Sequence, residues 1–177
     1  MQQKLQNTKN LVSEVFDKVH DKYDLMNNLM SFGIHKSWKK QLIYSMKPRP
    51  HTKLIDVACG TGDIAKLFLE VTNNNSIVQC VDPNKKMISL GKRKLKNYQN
   101  ISWKIATAEK LPFKKNQFDY YVISFGLRNT KNINKSLSEA FRVLKTGGKF
   151  LCLEFSKINN GNLDFFYKNY SKLIPFI

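Results

Sequence analysis

The stretch LIDVACGTGDIA, residues 54–65, constrains the fold more than any other. A short apolar run stops in a glycine-rich turn, and a helical pattern begins at once. A strand that is apolar along its whole length is buried on both faces, so it needs strand neighbours and helices above and below. The rest of the chain supplies them. SIVQCVD, ISWKIATA, FDYYVISFG and KFLCLEF read as further strands. DIAKLFLEVT, NKKMISLGKRKLKN and NINKSLSEAFRVLK read as the helices between them, the last one stopping at Thr146-Gly147-Gly148. Strands alternating with helices predict an α/β, Rossmann-like parallel sheet with helices on both faces. Ahead of this core, a helical period runs through Leu11, Val12, Val15, Phe16, Val19 and Tyr23. A second helix is predicted over 36–46 and is closed by Lys47-Pro48-Arg49-Pro50. The organisation expected is an N-terminal helical lid or substrate segment over 1–50 and a Rossmann-like core over 51–177.

Bulk properties narrow the classes. With 177 residues and 42% hydrophobic content the chain can bury one core. No apolar stretch approaches the roughly 20 residues of a membrane helix, and MQQKLQNTKN lacks the apolar centre of a secretory signal. Cytoplasmic residence is therefore expected. Cys59, Cys80 and Cys152 fall in or beside strands without a C-x-x-C pair, which predicts reduced, buried thiols and no metal site. Thirty basic against thirteen acidic residues give a formal charge of +17. Only Arg49, Arg93, Arg128 and Arg142 are arginine, whereas base readout and bidentate phosphate contacts favour arginine. The charge fits attraction to anionic surfaces better than nucleic-acid recognition.

Gly60-Thr61-Gly62-Asp63-Ile64-Ala65 matches the G-x-G-x-x-G/A turn of dinucleotide folds. Such a turn offers backbone N–H groups and a helix N-terminus to any anion, whether a pyrophosphate or the carboxylate of an amino-acid-like cofactor. Asp82 ends the next strand, where an acidic side chain takes both hydroxyls of a ribose. Both cofactor types survive to this point, and Asp56 separates them. A carboxylate at the end of the first strand repels phosphates but can meet an ammonium. S-adenosyl-L-methionine carries an ammonium and a sulfonium, and fits better. Thr107 and Ala108 follow the third strand, where the adenine edge would fall, and Ser124 ends the fourth strand beside the crevice.

VFDKVHDKYDLMNNLMSFGIHKSW, LIDVACGTGD, AEKLPF, FDYYVISFGLRN and FRVLKTGGKFLCLEFSK closely resemble the ubiquinone/menaquinone biosynthesis C-methyltransferases, in nearly unbroken register over about 15–157. The resemblance implies a class I methyltransferase fold and S-adenosyl-L-methionine as methyl donor. It also implies a demethylated polyprenyl benzoquinol or naphthoquinol, a lipid quinol, as acceptor. By position the cofactor contacts fall on Thr61, Asp82, Thr107, Ala108 and Ser124, beside Asp56, Gly60 and Gly62 of the turn. Peripheral association with the inner face of an anionic membrane, contact with other quinone-biosynthesis enzymes and a homodimer are compatible partners. The chain departs from the pattern at Ala58, where the class I motif has glycine, and the family continues past Ile177 with a closing helix and the last two strands of its sheet.

Methyl transfer to a ring carbon is an in-line displacement, so positioning supplies much of the rate. The quinol ring becomes nucleophilic as a hydroxyl loses its proton, which calls for a base or for a cation beside the phenolate. Arg128 is the candidate cation. Tyr23, at the end of the first helix, is a candidate lid residue, and His35 a candidate base, its unperturbed pKa being near 6.5. Three rivals stay open: an RNA methyltransferase, which the charge suits although no N/D-P-P-Y/F motif is present; a dehydrogenase, disfavoured by Asp56; and a non-catalytic cofactor-binding chain.

Overall fold

A computed structural model describes residues 34–154. The chain divides into two compact units, Met1–Ser37 with Ser156–Ile177, and Trp38–Phe155. The described part of the first is one helical turn; the second holds the sheet. Helix α1 (His35–Met46) comes first. Then follow β1 (Lys53–Val57), α2 (Asp63–Val71), β2 (Ile77–Asp82), α3 (Lys85–Lys94), β3 (Ile101–Ile105) and β4 (Phe118–Ser124). A 3-10 turn (Leu127–Asn129), α4 (Ile133–Val143) and β5 (Leu144–Leu153) complete the described chain.

The five strands are parallel, in the order β3-β2-β1-β4-β5. The order reverses at β1, so the crevice between the carboxyl ends of β1 and β4 is where an open α/β sheet places a ligand. Each face has its own core. Leu54, Val78, Cys80, Tyr120 and Val122 pack with Ile43 and Met46 of α1, Ile64, Ala65, Phe68 and Leu69 of α2, and Ile88 of α3. On the other face Ile55, Val57, Val81, Tyr121 and Ile123 meet Ala140 and Val143 of α4. The alternation is the two-residue period of a strand, expressed on both faces because both are covered.

Three expectations shift. The strand read through Cys59 stops at Val57, because Ala58 has φ 54° and turns the chain out of the sheet. The last helix stops at Val143 rather than at the glycines. Leu144 is already extended and opens β5, and the Lys145–Gly148 residues form an irregularity between the Phe118↔Leu144 and Tyr120↔Lys149 pairs. All three cysteines are free, but Cys152 is exposed rather than buried. It sits on β5, which pairs on one side only within the described sheet.

Candidate active site

The strand period that builds the first core also places the polar residues. Asp56 follows Leu54, Asp82 follows Val78 and Cys80, and Ser124 follows Tyr120 and Val122, each two residues on. The three therefore belong to one face, at the carboxyl ends of β1, β2 and β4. In register Asp56 lies beside Cys80 on one side and Val122 on the other, so Asp82 and Ser124 stand two residues further along the adjacent strands.

The glycine turn is fastened to β2. Gly60 N–H donates to Asp82 Oδ2 at 2.9 Å, and Cys59 N–H donates to the Val81 carbonyl at 3.1 Å. Asp82 Oδ1 accepts from Asn84 N–H at 2.8 Å, and the Asn84 side chain caps α3 by accepting from Lys86 and Met87 N–H. One carboxylate thus ties the turn to the start of the next helix, with lone pairs left for a ligand hydroxyl. Burial raises its pKa, and the two N–H bonds oppose that rise. Gly62 has φ 84° as the left-handed cap of α2, and a Cβ there would lie 2.8 Å from Trp103 Cη2 and from Leu95 Cδ1. Only glycine satisfies both demands.

Asp56 is 1% exposed. Asp56 Oδ2 is buried without a hydrogen-bond partner, while the nearby Ala65 N–H favours the charged form slightly. Desolvation pushes its pKa up from 3.8 to about 8, with Lys39 opposing and Asp63 and Asp82 reinforcing the rise. Ser124 Oγ is the other buried side-chain atom without a partner among the described residues. Native interiors satisfy nearly all such groups, so two orphans on one face of one crevice indicate a polar ligand.

Sequence reading missed the residues that flank Asp56. Lys39 Nζ meets Asp63 Oδ2 at 2.8 Å, and Lys94 Nζ meets Asp63 Oδ1 at 2.6 Å and Thr61 Oγ1 at 3.2 Å. Burial raises the Asp63 pKa, but the two ammonium groups outweigh it and hold the carboxyl well below its ordinary value. Asp63 stands inside the quoted turn as an acid in the first turn of a helix, a signal that was available. Lys39 is 24 residues away and carried none.

Thr107 and Ala108 lie just past β3, and Thr107 forms an isolated bridge with Lys110. Glu109 Oε1 accepts from Lys131 and Asn132 N–H at 2.6 and 3.3 Å, which ties this loop to the start of α4. After β4, Phe125 is buried with φ 55°, a conformation that stores strain in a bulky residue. A Cβ on Gly126 would lie 2.4 Å from the Ala58 Cβ, so the alanine at the motif's glycine position is matched by a glycine opposite. Arg128 forms an ion pair with Glu154, just past β5, and its N–H also approaches Glu154 Oε2 at 3.4 Å. His35, the first residue of α1, is buried at 2% exposure. Tyr23 lies outside the described residues.

Comparison with known proteins decides the family. The ubiE/COQ5 methyltransferase family matches residues 2–177. The chain belongs to that family. It is 49% identical over 175 residues to the Rickettsia prowazekii protein named ubiquinone/menaquinone biosynthesis C-methyltransferase UbiE, covering 94% of this chain and 70% of that one. The Rickettsia bellii protein of the same name is 49% identical over 172 residues, covering 93% of this chain and 69% of its own. Among solved structures, the YcgJ protein from Bacillus subtilis superposes with a TM-score of 0.64 at 25% identity, over 78% of this chain and 58% of its own. A SAM-dependent methyltransferase from Aquifex aeolicus shares the fold, with a TM-score of 0.67 at 17% identity over 81% of this chain and 76% of its own. The methyltransferase class and S-adenosyl-L-methionine as cofactor follow from membership of the ubiE/COQ5 family. The site's chemistry agrees: Asp56 Oδ2 is an unpaired acid suited to an ammonium, and Asp82 suits a ribose.

Proposed function

We propose that this ubiE/COQ5-family chain methylates a ring carbon of a demethylated polyprenyl benzoquinol or naphthoquinol in its reduced form. The observation that carries the donor side is the pair of orphaned buried acceptors, Asp56 Oδ2 and Ser124 Oγ, at the carboxyl ends of the two central strands. S-adenosyl-L-methionine supplies an electrophilic methyl group on a sulfonium. In this reading Asp56 holds the ammonium end and Asp82 the ribose hydroxyls. Gly60, Thr61 and Gly62 let the backbone approach closely, Thr107 and Ala108 border the adenine, and Ser124 satisfies a polar atom deep in the crevice.

On the acceptor side, Arg128 places a permanent positive charge just past β4, one strand from Asp56. Its charge favours the phenolate over the phenol, and the ion pair to Glu154 orients the guanidinium. His35, the first residue of α1, is the candidate base for the acceptor hydroxyl in this reading. Residues 1–50 serve as the substrate segment, with Tyr23 on the acceptor side, and 51–177 as the cofactor core.

A polyprenyl acceptor resides in the bilayer, whereas no helix among the described residues is long and apolar enough to cross it. The net charge of +17 supports peripheral, electrostatic attachment to an anionic leaflet, where each lysine contributes up to ~1 kcal/mol. Expression in a bacterial strain lacking its quinone C-methyltransferase tests the proposal. Mass spectrometry should show the demethylated quinone precursors replaced by methylated quinone, and which ring series responds identifies the acceptor. Undiminished precursors of both series would contradict it.

A further inference from the structure

Nothing in the glycine turn itself requires helix α1. Yet Lys39 of that helix, its side chain 12% exposed, reaches the first residue of α2 and bonds Asp63 at 2.8 Å. Ile43 and Met46, one and two turns on, are buried in the same cluster as Ile64, Ala65 and Phe68, so the lysine's base is fixed by packing. Asp63 would otherwise be a second negative charge beside the orphaned Asp56 carboxylate. Lys39 and Lys94 neutralise it from opposite oxygens.

We infer that Lys39 is a positioning residue for the methyl donor: it holds Asp63 at the head of α2 and supplies the positive charge against which buried Asp56 is ionised when the cofactor's ammonium end binds. The inference rests on the reading of Asp56 as the ammonium partner. Among the described residues, the groups facing Asp56 are few. Lys39 on α1 favours its charge, whereas Asp63 on α2 and Asp82 on β2 oppose it. Cys59 after β1, Cys80 on β2 and Tyr121 on β4 also feel it, and burial pushes all three upward, so they remain neutral. Among the described residues, Lys39 is thus the chief favourable charge on a carboxyl otherwise driven toward its neutral form. A neutral Asp56 gives an ammonium ligand one hydrogen-bond acceptor and no charge.

Calorimetric binding of S-adenosylhomocysteine, which keeps the ammonium, and of methylthioadenosine, which lacks the amino-acid end, tests this between pH 6 and 9. In the unsubstituted chain, homocysteine-ligand affinity should rise with pH and level off above about 8, where Asp56 is ionised. Lys39→Met, which keeps the apolar stem, should move that rise to higher pH and weaken binding at pH 7 by about tenfold, the equivalent of one decade in ionisation. Lys39→Arg should restore it, and methylthioadenosine should bind all three chains equally at every pH. Equal loss of both ligands in Lys39→Met, or no change in the pH profile, would overturn the inference. Unaltered homocysteine-ligand binding by Asp56→Asn would overturn the ammonium reading beneath it.

Discussion

Replacing Asp56 by asparagine should stabilise the ligand-free protein while weakening its cofactor site. In the folded chain desolvation raises the Asp56 pKa from 3.8 to about 8. A carboxyl whose folded pKa is raised costs nothing below the unfolded value and progressively destabilises as pH climbs toward the folded one. At ~1.4 kcal/mol per decade, the penalty is on the order of 4 kcal/mol at pH 7. Asparagine removes the charge but leaves a buried amide short of partners, at a cost of about 1–3 kcal/mol. The net gain expected at pH 7 is about 1–3 kcal/mol. Urea titrations of both chains at pH 5 and pH 7.5 isolate it, because titrating groups distant from position 56 cancel in the difference. With a slope of about 1–3 kcal/mol per molar urea, the variant's midpoint should lead by on the order of 1 M at pH 7.5 and by much less at pH 5. A variant that is less stable at pH 7.5, or a difference that does not grow with pH, would refute the claim that Asp56 is a buried, under-compensated charge.

Other consequences are as direct. Asp82→Ala should weaken S-adenosylhomocysteine binding by about 1.5–3 kcal/mol in calorimetry, since it removes the ribose acceptor and frees Gly60 and Asn84; unchanged affinity would place the ribose elsewhere. Gly126→Ala should destabilise by about 1–3 kcal/mol through its clash with Ala58, and adding Ala58→Gly should recover most of that in a double-mutant cycle, whereas additive effects would show that the two positions do not meet. Arg128→Gln should lower kcat with S-adenosylhomocysteine affinity nearly intact; loss of that affinity would assign Arg128 to the donor side. Co-sedimentation should show salt-reversible binding to anionic vesicles and little to neutral ones, and equal recovery with both lipids would rule out the electrostatic attachment.

The sheet was legible because its three inner strands are largely apolar along their length and its turns carry glycine or asparagine at fixed places. All five strands and the helices between them follow from that pattern; Asp56 stood out as an acid inside an apolar strand, and Asp82 stood where a ribose-binding acid belongs. The failures have local causes. Leu144 could continue a helix by composition, but its extended backbone lets Phe118 pair at once with β5, a tertiary contact no local pattern encodes. Likewise Lys39, Lys94 and Glu154 are surface-type residues in sequence. They become part of the site only because α1, α3 and the end of β5 converge on Asp63 and Arg128. Cys152 reads as core, yet the strand that carries it has a neighbour on one side only within the described sheet.

The central claim is methyl transfer to carbon on a reduced acceptor. Incubating the chain with S-adenosyl-L-methionine labelled with carbon-13 at its methyl group, and with short-tailed demethylated benzoquinone or naphthoquinone with and without dithionite, measures it directly. Label is expected on a ring carbon, in the reduced sample only, for at least one of the two ring systems. Label on oxygen, or equal transfer to the oxidised quinone, would contradict it.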